Sequence, residues 1–178
     1  MRRPLWQEAA SFAARAHKDQ WRKDGRTPYA AHPFRVAMTV RDVFGCDDPA
    51  AVAAALLHDT IEDTGADYDE LEAAFGGTVA GIVAALTKNM ALPEKRREAE
   101  YDSRLSRADW RARLIKLADV YDNLSDMYDQ SAKGMARMRD KCRRAISLGR
   151  ADARAHPETA RAIRAVEALM KSEARRAR

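Results

Sequence analysis

Residues 50–57 read Ala-Ala-Val-Ala-Ala-Ala-Leu-Leu, an unbroken apolar run. A helix made from them has no polar face, so in water it needs neighbours on every side. Asp48 followed by Pro49 provides the cap and first-turn residue that begin such a helix. The run is far short of the ~20 residues that cross a bilayer, so it predicts a buried central helix. The next residues are opposite in character: His58-Asp59-Thr60-Ile61-Glu62-Asp63-Thr64. If helical geometry persists, His58 and Glu62 share one stripe and Asp59 and Asp63 the next. One imidazole and three carboxylates then crowd the end of a buried helix, where unpaired charges cost several kcal/mol each. A cation belongs among them. A divalent metal meets that need, because imidazole and carboxylate together suit Mn, Fe, Zn or related ions.

The rest of the chain predicts more helices around this one. Pro4 suits the first turn of a helix reaching about Lys18, with Leu5, Ala9, Phe12, Ala13 and Ala16 on one face. Gly25 and Pro28 mark a loop over residues 19–31. Pro33 opens a helix to about Phe44, ended by Gly45. Asp67 with Glu70 caps another, ended by Gly76, and a further helix spans about Thr78 to Leu86. Residues 88–106 read as loop plus a short helix. Ser106 with Asp109 starts a long helix whose apolar stripe is Leu114, Leu117, Ala118, Tyr121, Leu124 and Tyr128. Two more helices follow, broken between Gly149 and Pro157. No segment alternates at period two long enough to be a strand. The fold class is all-α: a compact helical bundle forming one domain over 1–178, with its core at about 5–150 and basic C-terminal helices over 151–178.

Abundant Ala and few aromatic residues agree with that class. Charged residues are 33% of the chain and hydrophobic residues 46%, which excludes a disordered polyelectrolyte and favours a soluble, cytoplasmic protein with no membrane partner. Cys46 and Cys142 form no CxxC pattern, so neither a disulfide framework nor a thiolate zinc site is expected. Net charge is +5, yet residues 132–178 hold 14 Lys or Arg against 5 acids. That stretch suits solvated helix faces or a polyanionic small molecule; nucleic acid is not the expected partner. Nothing in the sequence specifies an oligomeric state.

Three residues distant in sequence complete the pattern. His32 ends a loop just before a helix, where its ring can turn inward. Asp119 is one acid set into Ile115-Lys116-Leu117-Ala118-Asp119, and Asn123 follows at i+4 on the same face. Singly each has a bland explanation: His32 as a core histidine, Asp119 as the partner of an Arg, Glu62 and Asp63 as a solvated helix end. The ordered set His, His-Asp, Asp is far less readily accidental.

This set resembles the signature of the HD-domain metal-dependent phosphohydrolases. The segments Ala16-His17-Lys18-Asp19-Gln20, Arg22-Lys23-Asp24-Gly25, Thr27-Pro28-Tyr29, His32-Pro33, residues 54–64 and Lys116-Leu117-Ala118-Asp119 are similar to the hydrolase domain of the RelA/SpoT alarmone enzymes. The resemblance runs from about residue 8 to residue 128 and is of the small stand-alone kind. It implies removal of pyrophosphate from the 3′ position of guanosine tetra- and pentaphosphate, usually with Mn²⁺. It implies His32, His58, Asp59 and Asp119 as metal ligands, and Glu62 and Asp63 as the residues that activate water. Arg22 and Lys23 would contact the base and nearby phosphate, Asn123 would hold the nucleotide, and Lys95 and Arg139 would bind phosphate. Arg143 stands where animal-type enzymes tend to place a Tyr, Asp122 adds an acid beside Asn123, and the Arg-rich tail has no counterpart. An adenosine alarmone, a nucleoside mono- or triphosphate, NADPH, or a non-catalytic nucleotide-binding module stays open as an alternative.

Overall fold

The computed structural model describes residues 3–127 and 131–176. Among these, the secondary structure is helical apart from one isolated antiparallel bridge between Trp21 and Pro28. The first helix, α1 (Leu5–Ala16), starts after Pro4 as its sequence requires. The loop over 17–30 leads into α2 (Ala31–Met38), which begins two residues before the expected Pro33 and runs into a π-helical turn, Thr39–Val43. Gly45 closes it with φ 69°, a conformation that favours glycine.

The apolar run forms α3 (Pro49–Leu57), capped by Asp48, whose carboxylate accepts from the Ala51 amide at 2.8 Å. Every residue from Ala51 to Leu57 is buried. Helices α1, α2, α6 (Gly77–Leu86) and α8 (Trp110–Ser125) surround it. Leu56 and Leu57 alone remove about 1.5–3 kcal/mol of apolar exposure each. Helical geometry does not persist through the acidic segment: His58 and Asp59 form a turn, and α4 (Thr60–Asp63) restarts the ladder with the Asp63 amide bonded to the Asp59 carbonyl at 2.9 Å. The Thr60 hydroxyl donates to the Leu57 carbonyl at 2.7 Å, satisfying an orphan acceptor of α3.

Asp67 caps α5 (Tyr68–Phe75) by accepting from the Glu70 amide at 2.9 Å, and Gly76 ends it with φ 85°. Residues 94–107 correct the expectation of a short helix, since Glu94–Arg107 is one helix, α7. Only Tyr101 and Leu105 are buried in it, too sparse an apolar pattern to register by periodicity. Ion pairs from Arg144 to Glu98 and Asp102, at 2.9 and 2.7 Å, dock it instead. Ser106 lies within α7, and Asp109 caps α8 by accepting from the Arg111 amide at 2.8 Å. The expected apolar stripe on α8 is present through Leu124, and Tyr128 lies outside the described residues.

Two basic helices complete the chain, α9 (Ala132–Gly149) and α10 (Pro157–Arg176). Helix α8 packs against both, and α10 also meets the π turn, where the Arg161 Nε donates to the Phe44 carbonyl at 2.7 Å. Among the described residues no helix is long and apolar enough to cross a membrane.

Candidate active site

Three elements bring the candidate metal-binding side chains together. His32 comes from the first turn of α2, His58 and Asp59 from the turn after α3, and Asp119 from the third turn of α8. His32 and His58 are buried, with ring centroids 5.2 Å apart. One ligand atom from each of His32, His58 and Asp59 lies within 4.8 Å of the others. The His32 Nε2 is 3.5 Å from Asp59 Oδ2 and 3.3 Å from Asp119 Oδ1, and the His58 Nε2 is 3.2 Å from Asp59 Oδ1. Bonds of roughly 2.1 Å at octahedral or tetrahedral angles set neighbouring ligands about 3.0–3.4 Å apart. The three separations are close to that range.

Hydrogen bonding on the far side of each ring aims it. The His58 Nδ1 faces the Ala55 carbonyl at 2.8 Å, and a carbonyl can only accept, so that nitrogen carries the proton. The buried Nε2 points into the cluster with no hydrogen-bond partner, because its approach to Asp59 is out of alignment. An orphaned imidazole nitrogen beside two carboxylates is the observation that fits a divalent ion. His32 is aimed the same way by Asp122, whose Oδ2 lies 2.7 Å from its Nδ1. The donor set of two imidazoles and two carboxylates can hold a divalent metal.

Without a metal, protons take up the same electrostatic demand. Burial works against charging His32, yet hydrogen bonds to Asp119 and Asp122 prevail and push its pKa up to about 9. His58 shifts upward too, its burial outweighed by Asp59. Asp119 is held far below the usual carboxylate range, against its burial, by Lys116 and the two histidines.

The acidic pair beyond the turn is separately anchored. Glu62 Oε2 accepts from the Lys88 amide at 2.7 Å, and burial raises the Glu62 pKa. The Tyr29 hydroxyl lies 2.7 Å from Asp59 Oδ2 and 3.1 Å from Asp63 Oδ2, tying those two acids together. Burial and the nearby Asp59 raise the Asp63 pKa. Gln20 donates to the Asp63 carbonyl at 2.8 Å, and His17, which ends α1, bonds Gln20 at 2.8 Å and lies against the Tyr29 ring. Gln20 and Tyr29 therefore lock the acidic turn onto the loop after α1.

A polar cleft of about 680 Å³ opens beside Asp119, between the 22–24 loop, α7, α8 and α9. Its volume suits a small-molecule ligand. Arg22, Lys23 and Asn123 line it as the sequence implies. Asn123 donates to Asp119 and accepts from Arg22 at 3.1 Å, so it joins Asp119 to the loop. Lys95 and Arg139 are not among the lining residues. Lys95 sits exposed on the first turn of α7, and Arg139 lies one position off the α9 stripe Gly134, Met138, Lys141, Ala145 that faces the cleft. Besides Arg22 and Lys23, the cations that line it are Lys88, Lys116, Arg137, Lys141 and Arg144. Arg143 points outward and pairs with Asp140 at 2.7 Å.

Sequence reasoning missed Tyr29 as a clamp and misread Asp122, which appeared only as an extra acid. Asp122 is buried and receives Arg35 at 2.6 Å as well as His32. A signal was present: Asp119, Asp122 and Asn123 fall at i, i+3 and i+4 on one helix.

This centre defines a class of protein. Residues 9–145 match the HD domain family, and the chain belongs to it. Among its relatives it is 41% identical over 133 residues to a guanosine-3′,5′-bis(diphosphate) 3′-pyrophosphohydrolase, MESH1, of Xenopus tropicalis, covering 74% of each chain. The human MESH1 is 40% identical over the same length and coverage. A solved structure described as a metazoan ortholog of SpoT that hydrolyses ppGpp superposes with a TM-score of 0.82 at 25% identity, covering 97% of each chain.

Proposed function

We propose that this protein is a 3′-pyrophosphohydrolase of guanosine tetra- and pentaphosphate, working in the cytosol with Mn²⁺ held by His32, His58, Asp59 and Asp119. The observation that carries the reading is the convergence of those four side chains at the mouth of a cationic cleft. The 41% identity to a MESH1 enzyme supports the substrate. Two buried free cysteines suit a reducing compartment.

The bound ion would supply Lewis acidity, neutralising phosphoryl charge and making water a stronger acid. The protein does the rest. Glu62, fixed through one oxygen by the Lys88 amide, keeps its other oxygen for the proton of the attacking water. Burial raises its proton affinity, which suits a base that must accept a proton and then give it up. Asp63, clamped by Tyr29, orients the same water. Water attacks the phosphorus attached to the 3′ oxygen, that P–O bond breaks, and the 3′ oxygen takes up a proton. The products are GDP or GTP and pyrophosphate. Arg22 and Lys23 face the nucleoside, and Asn123 keeps Arg22 in register with Asp119.

One assay tests this. Purified protein with Mn²⁺ is offered guanosine and adenosine alarmones, NADPH, and nucleoside mono- and triphosphates, and the products are separated by chromatography. The expected result is GDP or GTP with pyrophosphate from the guanosine alarmones. Orthophosphate released from a monophosphate, with the alarmones untouched, overturns the reading.

A further inference from the structure

We propose that Lys141, with Lys88 and Lys116, forms a seat for a diphosphate group on the α8–α9 side of the cleft; this rests on the hydrolase reading and adds to it the residue that grips the phosphates. The three lysines come from three separate segments of chain. The Lys88 Nζ lies 5.3 Å and the Lys116 Nζ 5.5 Å from the centre of the same Tyr101 ring, which brings both ammonium groups to one region. Each has its own carboxylate: Glu98 for Lys88 and Asp119 for Lys116, both at 2.7 Å.

Lys141 differs from them. It lines the cleft, yet among the described residues no carboxylate pairs with it at ion-pair distance. The acids that face it, Asp119 and Glu98, are engaged by Lys116 in one case and by Lys88 and Arg144 in the other. Partial desolvation and the neighbouring charges of Lys116 and Lys88 lower its pKa. Three ammonium groups lining one cleft repel one another, an electrostatic cost that an incoming anion removes. Met138, Ala145 and Leu148 line the same wall.

Three other cations of α9 lack this arrangement. Arg143 pairs with Asp140, Arg144 is spent on Glu98 and Asp102, and Lys133 lies off the cleft. Lys116 touches Asp119, so the seat begins beside the metal centre and extends along α9. A diphosphate has the charge and the reach for it. Two sources carry that chemistry: the group being cleaved, and a diphosphate at the other end of the nucleotide.

The test titrates inorganic pyrophosphate into metal-stripped protein by calorimetry, comparing wild type with Lys141→Met, Lys141→Arg and Lys133→Met. Losing a charge-assisted hydrogen bond should weaken binding by Lys141→Met about tenfold or more. Lys141→Arg should retain most of the affinity, and Lys133→Met should match wild type. Equal affinity in wild type and Lys141→Met, equal losses in the Met variants of Lys141 and Lys133, or no binding by wild type overturns the seat. A second arm compares KM for guanosine 3′-diphosphates carrying a 5′-diphosphate or a 5′-hydroxyl. A rise for both substrates in Lys141→Met assigns the seat to the cleaved group, and a rise for the first alone assigns it to the far end. KM unchanged for both overturns it. Should no nucleotide turn over, the hydrolase reading fails while the pyrophosphate titration still decides the seat.

Discussion

The Nδ1 of His32 and the Oδ2 of Asp122 meet at 2.7 Å inside the bundle, with Arg35 bonded to the same carboxylate. This contact fixes the His32 ring so that Nε2 faces Asp59 and Asp119. Replacing Asp122 with Asn removes the negative charge behind the imidazole and lets the ring reorient. Outer-shell partners of this kind typically contribute about 10–100-fold to metal affinity. Asp122→Asn should therefore bind Mn²⁺ about 10–100-fold more weakly by calorimetry, with circular dichroism near wild type. Unchanged affinity would show that His32 is held by packing alone.

Asp119 is bonded to Lys116 and Asn123, its neighbours one turn before and after it on α8. Asp119→Ala strands the Lys116 ammonium, and it should abolish metal binding and turnover together. Equilibrium dialysis and product analysis on the same preparation check this. Turnover surviving without bound metal would contradict the assignment of Asp119.

Glu62 stands apart from the ligand cluster, so its chemistry can be separated from metal retention. Glu62→Gln keeps an oxygen for the Lys88 amide and loses the base. Metal content should stay at the wild-type level while kcat falls, with general-base loss worth roughly 10²–10⁴-fold. A wild-type kcat would remove Glu62 from the mechanism.

The His32 pKa gives the metal-free protein a characteristic pH response. Its folded value, about 9, lies above the reference 6.5. Protonated His32 favours the folded state, so its contribution is complete below pH 6.5 and disappears as pH rises through 9. Tm of the metal-free protein should fall across that window. Metal competes with the same protons, so Mn²⁺ affinity should rise over that interval and the loaded protein should hold its Tm. Parallel melting curves with chelator and with Mn²⁺ measure both. A metal-free Tm that climbs from pH 6.5 to 9 would contradict the sign.

The central helix was legible because Ala50–Leu57 has no polar side to offer water, and its cap, Asp48, stands directly before Pro49. The need for a cation was legible for a related reason: titratable groups at the end of a buried helix need a countercharge wherever the rest of the chain goes, and the resemblance pointed to His32 and Asp119 as further candidate ligands. Helix α7 was not. Its inward residues, Tyr101 and Leu105, are four apart amid charges, and the ion pairs that help dock it come from Arg144, some forty residues away in sequence. Which cations reach the cleft was not legible for the same reason: two positions along α9 turn a side chain by about 200°, so Lys141 lines the cleft and Arg139 does not.

The sequence by itself determined that this chain is helical, which helix lies at its centre, and that the acids following it need a countercharge; the family resemblance supplied the four candidate ligands. The first three follow from local geometry and the cost of burying charge. Tertiary structure decided which groups stand behind the ligands and which cations reach the cleft: Asp122 behind His32, Tyr29 between Asp59 and Asp63, Lys141 in place of Arg139. Such pairings depend on how helices rotate and dock against one another. That is set by the sum of many weak packing contacts, and no short stretch of sequence carries it.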